Sequence, residues 1–397
     1  MFKKIGPGVL IAAAFIGPGT ITACTSAGVT FRYALLWALL LSILATMALQ
    51  EMAARIGIVS QKGLAAVIRS QLKEAWTQKL VVAIILMAIL LGNAAYEAGN
   101  IGGASLGMEV LFGERYMDYY PLGIGFFAFV LLWVGNYKVL ENTFIALVLL
   151  MSISFLVTAV WTTPPLGKIL KGLLLPDMPS ESLFMVMALV GTSVVPYNLF
   201  LHAALVNEKW KAKTDLKAAR WDTIIAIGLG GLVSMAIMIV AAAIPTGAVK
   251  NAFDLAKGLQ PLFGDSARYF MGIGLFAAGI TSAITAPLAA AYVANSCFGW
   301  KATLKDWKFR LVWGAVLFLG VFFLSFDIQL IKVIKFAQIA NGILLPLIAF
   351  LLVWVANKKE IMGKYQNGYF QNTIGFLIIA LALFLGVKSI LKVLGLL

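Results

Sequence analysis

Charge is scarce in this chain: Lys, Arg, Asp and Glu make up 12% of its 397 residues, about half the share usual in soluble proteins. With 61% apolar residues, too little polar surface remains to clothe a water-soluble globule. That excludes a cytosolic enzyme, a secreted disulfide scaffold and a disordered chain. There is one histidine, His202, so a multi-histidine metal site is excluded. The two cysteines, Cys24 and Cys297, lie inside apolar runs and offer neither a disulfide framework nor a thiolate cluster. Acid is scarcer than base, 17 residues against 31, for a net charge of +14. In a soluble protein that excess would point to nucleic acid. In an apolar chain it is first tested against membrane topology, because cytoplasmic loops collect Lys and Arg.

What the chain does have is long runs without charge. They cover 5–31, 33–50, 119–137, 142–167, 182–207, 223–249, 269–300, 311–326, 336–357 and 365–387. A further run, 80–108, is interrupted only by Glu97. Most exceed the roughly 20 residues a helix needs to cross the hydrocarbon core. The reading is an all-α integral membrane protein of about eleven helices, the run at 311 being the shortest; no alternation of the membrane-barrel type is seen. Lys3 and Lys4 precede an apolar stretch too long for a signal peptide, which is read as a retained first helix. With the N-terminus inside, the cytoplasmic segments carry 20 of the 31 basic residues, among them Arg55, Lys138, Lys213, Lys217, Arg220, Lys301 and Lys364. The expectation is a multi-pass protein of the inner or plasma membrane with a cytoplasmic N-terminus. Its basic loops can meet anionic lipid, and no nucleic-acid partner is expected. The longest connections, about twenty residues, leave no room for a soluble domain.

Two spans carry helix-breaking residues near their midpoints. The first reads Gly17-Pro18-Gly19-Thr20, the sixth Val194-Val195-Pro196-Tyr197-Asn198. Proline lacks a backbone donor and clashes with the preceding turn. Backbone freed in this way is tolerated in a bilayer only where it faces protein or a water-filled cavity. The breaks lie one five-helix repeat apart, and an odd repeat inverts the topology of its second copy. This pattern points to a secondary transporter with its site between two discontinuous helices. The expected division is a first repeat over about 5–167, a second over about 181–357 and an extra helix over about 365–394, all in one transmembrane domain.

At these motifs the sequence resembles the Nramp divalent-metal transporters, with similarity over nearly the whole chain. In that family the first helix unwinds at Asp-Pro-Gly-Asn and the sixth at Met-Pro-His-Asn-Leu, followed by a Leu-His pair. Here the sixth reads Val195-Pro196-Tyr197-Asn198-Leu199-Phe200-Leu201-His202, the third has Tyr96-Glu97-Ala98-Gly99, and the tenth has Gln338 followed by Leu345-Pro346. The resemblance implies a LeuT-type fold with alternating access, often monomeric, without a cofactor. The family's metal-binding Asp, Asn and Met fall on Gly17, Thr20 and Val195, and its backbone carbonyl on Thr192; only Gln338 keeps its side-chain type. The substrate site implied is Gly17, Pro18, Gly19, Thr20, Thr192, Val195, Tyr197, Asn198 and Gln338, with Glu97 and His202 on a proton route.

The departures bear on cargo. Val195 has no donor atom, and a set of Thr20, Thr192, Tyr197, Asn198 and Gln338 is neutral. Manganese and iron favour carboxylate and imidazole, and without a carboxylate little compensates burial of a doubly charged ion. Classical manganese or iron transport is therefore expected to be lost or altered. A hydrated cation remains open, since magnesium often keeps its waters. A small anion or neutral polar solute is the alternative, because half-helix N-termini present free N–H groups. Glu97 is read either as a proton acceptor or as a protonated acid bonded to a neighbouring helix. His202 is read either as a proton-route residue or as a neutral packing donor, and the two together as a relay. Glu51 and Arg55 are expected to form a structural ion pair, and Gly99, Gly102, Gly103 and Gly107 to permit close helix packing. Pro287 and Pro346 are candidate kinks. An enzyme would need a nucleophile–base pair that the sequence does not offer. A non-transporting sensor is the remaining class, as plant ethylene-signalling proteins carry an Nramp-like membrane part.

Overall fold

In hydrocarbon every backbone donor and acceptor must be met within the chain, and a helix meets them locally. A computed structural model of the protein describes residues 16–135, 138–245, 249, 251–300, 302–326 and 328–396. Among the described residues there is no strand. The principal helices are α1 (Pro18–Phe31), α2 (Leu36–Ser60), α3 (Leu64–Ser70), α4 (Ala75–Phe112), α5 (Tyr120–Val134), α6 (Lys138–Trp161) and α7 (Leu166–Leu174). They continue as α8 (Leu183–Ser193), α9 (Pro196–Lys209), α10 (Leu216–Ala241), α11 (Ala267–Phe298), α12 (Trp307–Phe323), α13 (Leu330–Ala356) and α14 (Tyr369–Val393). Eight stretches are long and apolar enough to cross a membrane, with α8 and α9 together forming one. The shorter apolar helices α1, α5 and α12 lie on three further expected runs. Lys3, Lys4, Lys301 and the start of the first run lie outside the described residues, as does the side chain of Lys138.

Helix ends follow the sequence closely. Residue 195 precedes a proline, which disfavours helical backbone there, and Val195 is extended at φ −79° and ψ 116°. Val194 still bonds its N–H to the Val190 carbonyl at 2.8 Å. The new helix starts with Pro196 in its first turn, where a missing N–H costs nothing. Gly17 is likewise extended, and Pro18 opens α1. The expected break of the sixth span is present; in the first span a helix begins at Pro18, and the half before it lies outside the described residues. Pro287 and Pro346 sit inside the continuous helices α11 and α13.

Packing pairs helices five spans apart: α1 with α8, α2 with α10, α4 with α11, and α5 with α12. The long α13 touches both α1 and α8 while also lining α4, so it spans the two broken elements. The Glu51–Arg55 pair forms at 3.1 Å and is wider than the i,i+4 spacing implied. Glu51 also accepts from Arg220 at 2.7 Å, and buried Arg55 reaches Asn367 Oδ1 at 2.6 Å and the Tyr365 carbonyl. This network ties α2 to α10 and to the approach to α14.

Candidate functional site

The two breaks meet directly. The Oγ1 atoms of Thr20, on the first turn of α1, and Thr192, near the end of α8, lie 2.8 Å apart in a buried hydrogen bond. Gln338 on α13 closes over them because two neighbours lack side chains. A Cβ on Gly19 would lie 2.2 Å from Gln338 Nε2, and one on Gly191 only 1.7 Å from the Gln338 carbonyl oxygen. Pro18 fits against α4 for the same reason, since a Cβ on Gly103 would stand 2.0 Å from its ring. The packing role expected of the α4 glycines is thus used at the break itself. Thr20, Thr192 and Gln338, far apart in sequence, form one cluster around Gly19.

Tyr197 and Asn198 open α9. The Tyr197 ring meets Tyr96 of α4 edge-on at 5.4 Å between centroids. Val195 contributes only apolar surface and is 1% exposed. Three buried atoms around the breaks have no hydrogen-bond partner: Asn198 Oδ1, Gln338 Oε1 and Ser282 Oγ. Ser282 on α11 sits beside Gly17, its Oγ 3.0 Å from where a Gly17 Cβ would be. An unmet buried polar atom costs about 1–3 kcal/mol, so such a concentration calls for a functional account. Thr20, Thr192, Tyr197, Asn198 and Gln338 are at most 1% exposed. These side chains are therefore packed together at the centre and turned away from solvent.

The lining is uncharged. Among the described residues no group of three or more His, Cys, Asp or Glu is placed to hold a metal ion. The starts of α1 and α9 carry no side-chain cap, so their free N–H groups and positive dipole ends turn toward the breaks. A dehydrated divalent cation would find neither carboxylate nor thioether here. A solute that gives and takes hydrogen bonds would find Asn198, Gln338, Ser282 and Tyr197.

Glu97 and His202 are both buried but face different neighbours. Glu97 accepts from Asn100 Nδ2 at 3.2 Å, and its stem packs on α12, where a Cβ at Gly320 would lie 2.6 Å from its Cγ. His202 Nδ1 lies 2.8 Å from Gln50 Oε1 of α2; the amide oxygen accepts, so Nδ1 carries the proton. No direct bond joins the two among the described residues. What links Glu97 to the breaks is its neighbour Tyr96, through the ring of Tyr197. Sequence reasoning missed Ser282 and Gln50, and quoted Tyr96 only as part of the Glu97 motif, without a role of its own. For Ser282 and Gln50 the only signal is a polar residue within an apolar helix, and many such residues simply bond the preceding turn, as Ser105 does to Ile101.

Comparison with known proteins extends the site to a lineage. A divalent metal cation transporter MntH of Aeromonas hydrophila is 29% identical over 394 residues, covering 96% of this chain and 93% of its own. Its counterpart from Yersinia pestis is 28% identical over 400 residues, covering 98% and 95%. Among solved structures, the manganese transporter of Eremococcus coleocola aligns with a TM-score of 0.81 at 21% identity, covering 98% of this chain and 86% of that one. These likenesses bear out the LeuT-type helical fold. Residues 8–392 match the family described as natural resistance-associated macrophage protein-like, and with that match spanning both breaks and the last helix, the chain belongs to the Nramp family.

Proposed function

We propose that the protein is a secondary transporter that moves a small solute or ion across the membrane by alternating access, holding its cargo by hydrogen bonds rather than by direct metal coordination. Among its relatives are MntH transporters, named for divalent metal cations. The observation that carries the reading is the neutral cluster at the paired breaks. Thr20 and Thr192 bridge the two helices, and unmet amide and hydroxyl groups surround them. Acceptors such as Asn198 Oδ1 and Gln338 Oε1 suit the water shell of a hydrated cation or the N–H and O–H groups of a neutral solute. The uncapped starts of α1 and α9 favour a second cargo, a small anion.

The pairing of α1 with α8, α2 with α10, α4 with α11 and α5 with α12 supports two inverted repeats, about 5–167 and 181–357, with 365–394 outside them. In this reading the repeats rock about the centre while the N-terminus stays in the cytoplasm. Glu97 carries a coupled proton, and His202 assists from the α2 side. Calorimetry with manganese tests the central claim. Binding at one site per chain with micromolar affinity would overturn it; no heat with manganese, together with saturable proteoliposome uptake of a hydrated cation, an anion or a polar solute, supports it.

A further inference from the structure

On the outer surface, behind the break of the sixth span, lies a trough with two chemically different ends. Its apolar part, about 660 Å3, runs between α2, α8 and α14, with Leu41, Ala45, Val190, Leu377 and Leu381 on its walls. Leu44, Ala48, Phe370 and Ile374 also line a second hollow of about 360 Å3 that reaches Glu51 and Arg220. Arg220 and Ile224 in turn border a third, about 600 Å3, that holds Lys213 and Lys217. The three hollows thus follow one another along the surface, each sharing wall residues with the next. From Trp37 to Glu51 the α2 helix rises about 21 Å along it, at 1.5 Å per residue.

Charge collects at one end only. Among the lining residues of the two outer hollows are the cations Lys213, Lys217 and Arg220 against the single carboxylate Glu51, and Glu51 is already shared between Arg55 and Arg220. Lys213 and Lys217 are exposed. Lys213 stands 5.8 Å over the Tyr365 ring, and Trp221, 57% exposed, lies beside it. Aromatic rings next to basic side chains mark the level where lipid headgroups sit. Amphipathic Lys and Arg reach that level from apolar surface.

We propose that this trough is a specific site for one anionic phospholipid. An acyl chain lies along α2 and α14, and the phosphate is held by Lys213, Lys217 and the exposed face of Arg220. A bare bilayer contact would need only the apolar walls. The groove selects a molecule with a tail, which free phosphate lacks, and the cationic mouth favours a headgroup of net negative charge over a zwitterionic one, whose own ammonium group is repelled by the lysines. The groove wall includes Val190 and Val194, the latter in the break between α8 and α9. A seated chain therefore abuts the hinge of the sixth span from behind and biases how freely α8 moves.

The test uses delipidated protein in detergent, titrated with dioleoyl phosphatidylglycerol or dioleoyl phosphatidylcholine, with bound lipid counted by native mass spectrometry. The expected result is one phosphatidylglycerol retained per chain at concentrations where phosphatidylcholine is lost. K213Q/K217Q removes two juxtamembrane charges and lowers phosphatidylglycerol affinity roughly thirtyfold. A45F, which fills the groove without touching the charges, lowers it independently, and glycerol 3-phosphate does not compete. Equal retention of the two lipids, or unchanged phosphatidylglycerol binding in both K213Q/K217Q and A45F, overturns the proposal. Both lysines are on the surface, so the double variant retains its fold, and A45F gives a separate readout.

Discussion

Gly191→Ala is the sharpest perturbation of the centre. An added methyl at 191 would sit 1.7 Å from the Gln338 carbonyl oxygen, where ordinary contact begins near about 3.5 Å. The obstacle is backbone, so no rotamer change relieves it, and α8 must move away from α13 by well over 1 Å. Alanine gains about 1 kcal/mol of helix propensity over glycine. Overpacking of this severity costs about 3 kcal/mol or more, leaving a net loss near 2 kcal/mol. The displacement also carries Thr192 away from Thr20, so uptake falls with stability. The assay is a thermal melt of detergent-purified protein, with G123A as the control, because nothing lies within 4 Å of a Cβ at Gly123. G191A should melt at least about 3 °C below wild type, with G123A unchanged or higher. A G191A protein that melts and transports like wild type would refute the claim that α8 and α13 close on each other at this point.

Three further outcomes are expected. The double variant G17D/V195M supplies a carboxylate and a thioether at the breaks, so manganese binding by calorimetry should rise from none to a saturable site; no gain would show that the neutral side chains are not what bars the metal. Uptake by E97Q should lose its dependence on an imposed pH gradient while keeping solute specificity; an unchanged gradient response removes Glu97 from proton coupling. In the loop before α12, the Thr303 N–H and hydroxyl donate to Asp306 Oδ2 at 2.5 and 2.9 Å and hold that carboxyl below its usual range. A lowered value means the loop's stabilisation is full above the ordinary carboxylate range and is lost as pH falls through the depressed value. Hydrogen exchange at the Thr303 amide should therefore stay slow at mildly acid pH and quicken, after correction for intrinsic rates, only at strongly acid pH.

Much of the scaffold was legible because its signals are local. Proline at 196 and the Gly17-Pro18 pair dictate backbone within one turn, and the structure begins helices at those prolines. Charge-free runs mark spans because hydrocarbon penalises charge wherever the chain crosses it. The cluster of Thr20, Thr192 and Gln338 was legible through resemblance, not spacing, since residues 172 apart share no local signal. What escaped depends on side-chain contact between helices. Nothing near His202 in sequence indicates Gln50 as its partner, and nothing in the single Glu97 shows that it faces α12. The closure over Gly19 and Gly191 also escaped, because a glycine that admits a neighbour's backbone looks the same in sequence as one that merely loosens a helix.

The hydroxyl bridge between the first and sixth spans has a consequence for turnover. At the bridge itself an arriving passenger must trade places with an internal bond, while the idle acceptors of Asn198 and Gln338 beside it are there to be taken up. Exchanges of that kind net only about 1 kcal/mol each. A latch of this kind can break and reform at small cost in every cycle, so the centre has a bond of its own to fall back on whenever no passenger is aboard.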